Sequence, residues 1–203
     1  MSRSGPAALA ALALAGLTSC SGPLLFAEVE IPDLRVTLPQ QSFPAFDAGN
    51  PASWCNPSGP PPPIPCVGLS TGYDLGAHVP ALTQKGVTYE LRITDVTFTL
   101  SATQSPGAPT DLGGIQSATV RVGYDPAVPG SGVVIATYVR AAAGTPTTIA
   151  VTGNANLDLA PYISGGNLPV RVEVVIDGPT SAFDADILAA FYVRVTLDWG
   201  KYI

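Results

Sequence analysis

Few residue types that could do chemistry occur in this 203-residue chain. Its one histidine, His78, sits in the loop-like run Leu75-Gly76-Ala77-His78-Val79-Pro80. A nucleophile paired with it would have to be a distant Ser or Thr, and no G-x-S-x-G sequence marks one. We therefore expect an exposed or locally bonded histidine, no catalytic residue and no enzyme. Asp184-Ala185-Asp186 is the closest pair of acids in sequence and precedes the last apolar stretch. Hard cations take about six to eight oxygens, so two carboxylates could form only part of such a site. The expectation is a solvated turn, with no metal and no other cofactor. Gly113-Gly114 and Gly165-Gly166 lack a following Lys and a strand-to-helix setting, so they are turn residues rather than phosphate loops.

Two further groups of residues suit binding rather than reaction. Trp54 and Tyr73 lie in an expected long Pro/Gly-rich loop, about 39–80, dense in Pro, Gly, Ser and Asn, and would form an aromatic platform for a ligand such as a carbohydrate. Packing of Trp54 onto the domain is the alternative use of that ring. Arg92, Arg121, Arg171 and Arg194 each fall on the outward face of a different predicted strand. Guanidinium forks match carboxylates, so they are read as cross-strand ion pairs or, alternatively, as a surface for an acidic ligand or partner.

The N-terminus points to export. Met1-Ser2-Arg3-Ser4-Gly5 carries one positive charge, and Pro6 to Leu17 is almost entirely Ala, Leu and Gly. This run is shorter than the roughly 20 apolar residues of a membrane-spanning helix and ends at Thr18-Ser19-Cys20. Leu17-Thr18-Ser19-Cys20 resembles the lipobox of bacterial lipoproteins, a Leu, two small residues and a Cys. That resemblance, confined to the first twenty residues, implies that 1–19 is a signal peptide and that Cys20 becomes the lipid-modified first residue, palmitate among its acyl groups, followed by a short spacer at 20–27. Two or three acyl chains anchor stably where one does not. The implied setting is extracytoplasmic and membrane-anchored. Ser21, a non-Asp residue after the Cys, points to the outer membrane if the cell is Gram-negative.

With Cys20 assigned to lipid, Cys55 and Cys66 remain as an even pair in an oxidising compartment. They bracket Asn56-Pro57-Ser58-Gly59-Pro60-Pro61-Pro62-Pro63-Ile64-Pro65, too rich in proline for a helix or a central strand. A disulfide is the expectation, and two free thiols the alternative.

Removal of 1–19 leaves 184 residues for one domain over 28–203. Hydrophobic content of 46% with 12% charged residues excludes a generally disordered chain. Loss of Arg3 takes Lys+Arg from nine to eight against fifteen acids, a formal charge of −7. With no Lys/Arg cluster, nucleic acid is not an expected partner.

Alternation of period two dominates the rest. Glu28 to Leu38 suits an edge strand interrupted by Pro32. Val87 to Leu100 alternates at odd positions up to Ile93 and at even ones from Val96, which predicts a bulge at Thr94-Asp95. Further strands are expected at 115–124, 133–140, 147–151, 170–176 and 187–199, with one helical turn at 157–163. These six or seven strands, separated by Gly/Pro turns, predict an all-β fold, an antiparallel β-sandwich of immunoglobulin-like or related topology, with an up-and-down barrel as the alternative. The functional expectation is a membrane-anchored envelope lipoprotein acting as a structural or protein-interaction module, with an envelope protein or a glycan as partner. A ligand-binding, carbohydrate-directed module is the alternative.

Overall fold

A computed structural model describes residues 26–50, 55, 64–84, 87–125, 128, 130–177 and 180–198. Expectations for residues 1–19, Cys20 and Trp54 fall outside these. The described chain is all-β: β1 (Phe26–Phe43), β2 (Cys66–Asp74), β3 (Val87–Leu100), β4 (Ile115–Val122), β5 (Val133–Val139), β6 (Thr148–Gly153), β7 (Asn167–Ile176) and β8 (Phe183–Asp198). Two short 3-10 turns, Pro80–Thr83 and Ala160–Tyr162, lie between strands.

All eight strands join one antiparallel sheet in the order β1-β8-β3-β6-β5-β4-β7-β2, which curls almost shut like a barrel. The pairs are nested: β4 with β5, β3 with β6, β2 with β7 and β1 with β8. Strands β4, β5 and β6 run consecutively and β7 returns beside β4, which is a Greek key. The two ends of the sheet, β1 and β2, meet without a ladder, where Thr71 Oγ1 donates to Gln41 Oε1 at 2.8 Å.

Period-two burial builds the interior. Along β8, Phe183, Ala185, Ile187, Ala189, Phe191, Val193 and Val195 all turn inward. Opposite them stand Leu91, Ile93, Val96 and Phe98 of β3, and Val170, Val172, Val174 and Ile176 of β7 closes the core from the other side. The expected bulge in β3 is present, as a register shift between Ile93 and Asp95 opposite Phe191 and Ala190. It lets both halves of the strand bury their apolar residues despite the change of parity. β1 has two such shifts, at Ile31/Leu34 and Leu38/Gln41, bracketing Pro32 and Pro39. Proline has no N–H for a ladder and is tolerated on an edge strand at such points.

The predicted long loop at 39–80 needs correction. β1 runs on to Phe43, β2 occupies Cys66–Asp74, and Pro80–Thr83 forms a turn. β2 was obscured by Gly68 and Gly72, which lower strand propensity. Both lie under longer side chains of β7: a Cβ on Gly68 would stand 2.1 Å from Arg171 Nη2, and one on Gly72 would stand 2.8 Å from Asn167 Nδ2. The start of the domain shifts slightly as well, since β1 begins at Phe26, inside the predicted 20–27 spacer. Cys55 and Cys66 are joined as a disulfide across eleven positions, with Cα atoms 5.2 Å apart.

Because all pairings are antiparallel, the connections segregate. The start of β1, the end of β8 and the β2–β3, β4–β5 and β6–β7 connections lie at one end of the strands. The β1–β2, β3–β4, β5–β6 and β7–β8 connections lie at the other, the first carrying the disulfide.

Two stability outcomes follow from this packing. Phe191→Ala is expected to cost about 3–5 kcal/mol in denaturant unfolding, against less than about 0.5 for Thr152→Ala on the wet face of β6. Replacing Cys55 and Cys66 by Ser should cost roughly 2–3 kcal/mol by the entropy of the loop they close.

Candidate functional site

The outward faces carry the charge, and they are organised differently on the two sides of the sheet. On β1-β8-β3, Arg194 lies directly across from Glu30 on one neighbour and Glu90 on the other. Its Nη2 is 2.8 Å from Glu30 Oε1, its Nε 3.3 Å from Glu28 Oε1 and its Nη1 3.6 Å from Glu90 Oε2. Tyr192 donates its hydroxyl to Glu30 Oε1 at 2.8 Å. Arg92 donates through Nε to Glu90 at 2.7 Å. The Tyr192 hydroxyl and the Arg194 guanidinium together hold the Glu30 carboxyl below its ordinary pKa. Here two arginines share three carboxylates, so the positive charge is fully met.

The face of β2-β7-β4 has the opposite balance. Register places Arg121 directly across from Arg171, two like charges side by side. Glu173 is the carboxylate between them: its Oε2 is 3.2 Å from Arg121 Nε, while its Oε1 is 4.0 Å from Arg171 Nε, beyond hydrogen-bond range. Arg171 Nε is buried and has no hydrogen-bond partner among the described residues. Its Nη1 reaches Ser70 Oγ at 3.4 Å, and its guanidinium carbon lies 5.2 Å from the centre of the Tyr124 ring. Ser70 and Tyr124 also line a groove of about 400 Å³ with Tyr162, Gly123, Pro161 and Pro169. Gly123, at φ +61°, brings the backbone against the Tyr162 ring. Two arginines share one carboxylate beside an open groove with aromatic walls.

The four outward arginines therefore form two groups, Arg92 with Arg194 and Arg121 with Arg171; Arg194 and Arg121 make the cross-strand ion pairs expected of them, whereas Arg92 and Arg171 pair with carboxylates of their own strands, Glu90 and Glu173. Of the two residues expected to form the aromatic platform, Trp54 lies outside the described residues and Tyr73 is turned into the core. Tyr73 is 1% exposed, packs edge-on against Phe191 at 5.4 Å, and burial pushes its hydroxyl pKa up. Phe43, from the same stretch, is buried and stacks on Phe183. The groove-lining Tyr124 and Tyr162 were not singled out from the sequence, where nothing links two tyrosines beside separate turns.

His78 is exposed, its backbone N–H donating to Leu75 O at 3.1 Å. Asp184 and Asp186 do more than end a turn. Asp186 Oδ1 accepts from the Gln40 N–H at 2.8 Å and from Ser101 Oγ at 2.7 Å, and Asp184 Oδ1 accepts from Ser42 Oγ at 2.5 Å. Gln104 closes the arrangement by donating to Ser101 O and Asp184 O. This clasp holds the ends of β1, β3 and β8 together and satisfies Gln40, which at φ 48° adopts the left-handed conformation within a bulge.

No family model matches the chain, and no curated protein matches it. Among solved structures it is similar to a chain of the infectious bursal disease virus Gt strain structure, at 14% identity and a TM-score of 0.25. That match covers 97% of this chain and 38% of the viral one, and a likeness this slight carries no argument.

The clasp has a pH signature. The Gln40 N–H, then the Ser101 hydroxyl, lower the pKa of Asp186 in the folded state. The stability it supplies is complete above the unfolded-state value near 4 and fades as pH falls through the lower folded value. Unfolding measured from pH 7 to pH 2 should fall less steeply on the acid side for Asp186→Asn than for the unaltered protein.

Proposed function

We propose that the protein is a lipid-anchored lipoprotein of the bacterial envelope that acts as a binding or structural module rather than as an enzyme. Its Cys20 is the anchoring residue, probed most simply by its acylation. The finer architecture goes with this reading: two four-stranded layers, β1-β8-β3-β6 and β5-β4-β7-β2, facing each other as a sandwich. Support comes from the thin corner between them, two residue pairs joining β5 to β6, and from Tyr73 of one layer meeting Phe191 of the other. Of the related topologies, the nested pairing favours a rolled-up double Greek key, or jelly roll.

The observation that carries the functional reading is the separation of the two ends. β1 starts at Phe26, six residues after Cys20, a reach of about 20 Å at full extension. A lipid on Cys20 would hold that end near the bilayer and turn the opposite end, with the disulfide loop and the β3–β4, β5–β6 and β7–β8 connections, toward whatever the module meets. Loops at the end of a rigid β scaffold are a common place for recognition. Among the described residues no helix is long and apolar enough to cross a membrane.

Radiolabelled palmitate fed to cells making the full chain should label the mature protein, and Cys20→Ala should abolish the label and release the protein from membranes. Undiminished label in the variant would overturn the anchoring.

A further inference from the structure

The groove on the β2-β7-β4 face has the composition of a site for a charged sugar. We infer that it binds a carboxylate-bearing saccharide unit, such as a uronic acid, with Arg171 as the anion-recognising residue. This site goes beyond the binding-module reading and does not depend on the lipid: Gly123, Tyr124, Pro161 and Tyr162 belong to the β4–β5 and β6–β7 connections, at the end of the strands where β1 starts rather than among the free-end loops.

The charge balance argues for the anion. Arg121 and Arg171 stand opposite each other and share Glu173, which makes its shorter contact, 3.2 Å, to Arg121. Arg171 is left with a 3.4 Å bond to Ser70 Oγ and an unpartnered buried Nε. Nε itself is closed to solvent, so an arriving carboxylate would meet the remainder of the Arg171 side chain, 18% exposed beside the groove residues Ser70 and Tyr124, whose charge Glu173 only partly offsets. On the opposite face, by contrast, Arg194 has three carboxylates within 3.6 Å.

The fold makes room for this guanidinium. It lies over Gly68, where a Cβ would come within 2.1 Å of Nη2 and 2.6 Å of the guanidinium carbon. Any other residue at 68 would displace it. Tyr124 holds it from the other side at 5.2 Å.

The groove itself argues for the sugar. Its walls combine two half-buried tyrosines, Tyr124 and Tyr162, with the hydroxyl-bearing Ser70 and Thr71. Aromatic faces suit the C–H faces of a pyranose, and hydroxyl groups suit its rim. The volume, about 400 Å³, accommodates one or two sugar rings. A simple anion would need no such walls.

Calorimetric titration of the full-length protein in detergent with glucuronate, glucose and acetate tests the assignment. Glucuronate should bind at least tenfold more tightly than either of the others, and less tightly as salt is raised. Arg171→Gln should weaken it tenfold or more. Gly68→Ala, which keeps every charge but displaces the guanidinium, should weaken it as well, and circular dichroism identifies any variant that has not folded. Tyr162→Ala should reduce glucuronate binding and leave acetate unchanged. Glucuronate binding no better than glucose or acetate, or binding indifferent to both Arg171→Gln and Gly68→Ala, would overturn the inference while leaving the palmitate result untouched.

Discussion

Burial of the inner face of β8 is the contact on which the other strands depend. Seven alternate residues from Phe183 to Val195 turn inward, and the strand is paired along nearly its whole length with β1 on one side and β3 on the other. Each large side chain removed from water contributes roughly 1.5–3 kcal/mol. Phe191 meets Tyr73 across the interior, and Phe183 stacks on Phe43, so this one strand also fixes β2 and the end of β1. A shift of one residue in its register would turn every one of these groups to solvent. The bulges in β1 and β3 are the accommodations its two neighbours make to stay in register with it.

What the sequence disclosed follows from the same physics. Long amphipathic strands with one wet face were legible: β3 with its parity slip, β4, β5, β7 and β8 all appear close to the positions their alternation predicts. β2 was not, because its outward residues include Gly68 and Gly72, and glycine leaves no pattern to read. Its glycines are there for Arg171 and Asn167, side chains about a hundred residues away. Tyr73 illustrates the companion difficulty. An aromatic residue in a Pro/Gly-rich stretch looks available for a ligand until the partner strand, far along the chain, is known to cover it. The Cys55–Cys66 bridge was legible from spacing and parity, whereas the Asp184/Asp186 clasp was not, since its partners Gln40, Ser42, Ser101 and Gln104 come from other elements.

The outward arginines were legible as a set but not in their division. Sequence places all four on solvent faces, and the register then decides how much negative charge each meets. Arg194 stands between Glu30 and Glu90, so its charge is spent within the sheet. Arg171 stands across from Arg121, and the resulting shortage of carboxylate beside the Tyr124 groove is what the inferred saccharide site rests on. Cross-strand register, a property of the whole sheet, thus separates the two groups.

Under the proposed anchoring the molecule has a membrane end and a free end, and this polarity is what its position in the envelope would exploit. It can be measured with the lipidated full-length protein in vesicles whose lipids carry a collisional quencher, using fluorophores attached at Thr88, beside the start of β1, or at Ser181, between β7 and β8. The account predicts strong quenching at Thr88 and little at Ser181. Equal quenching at the two positions, or the reverse order, would contradict it.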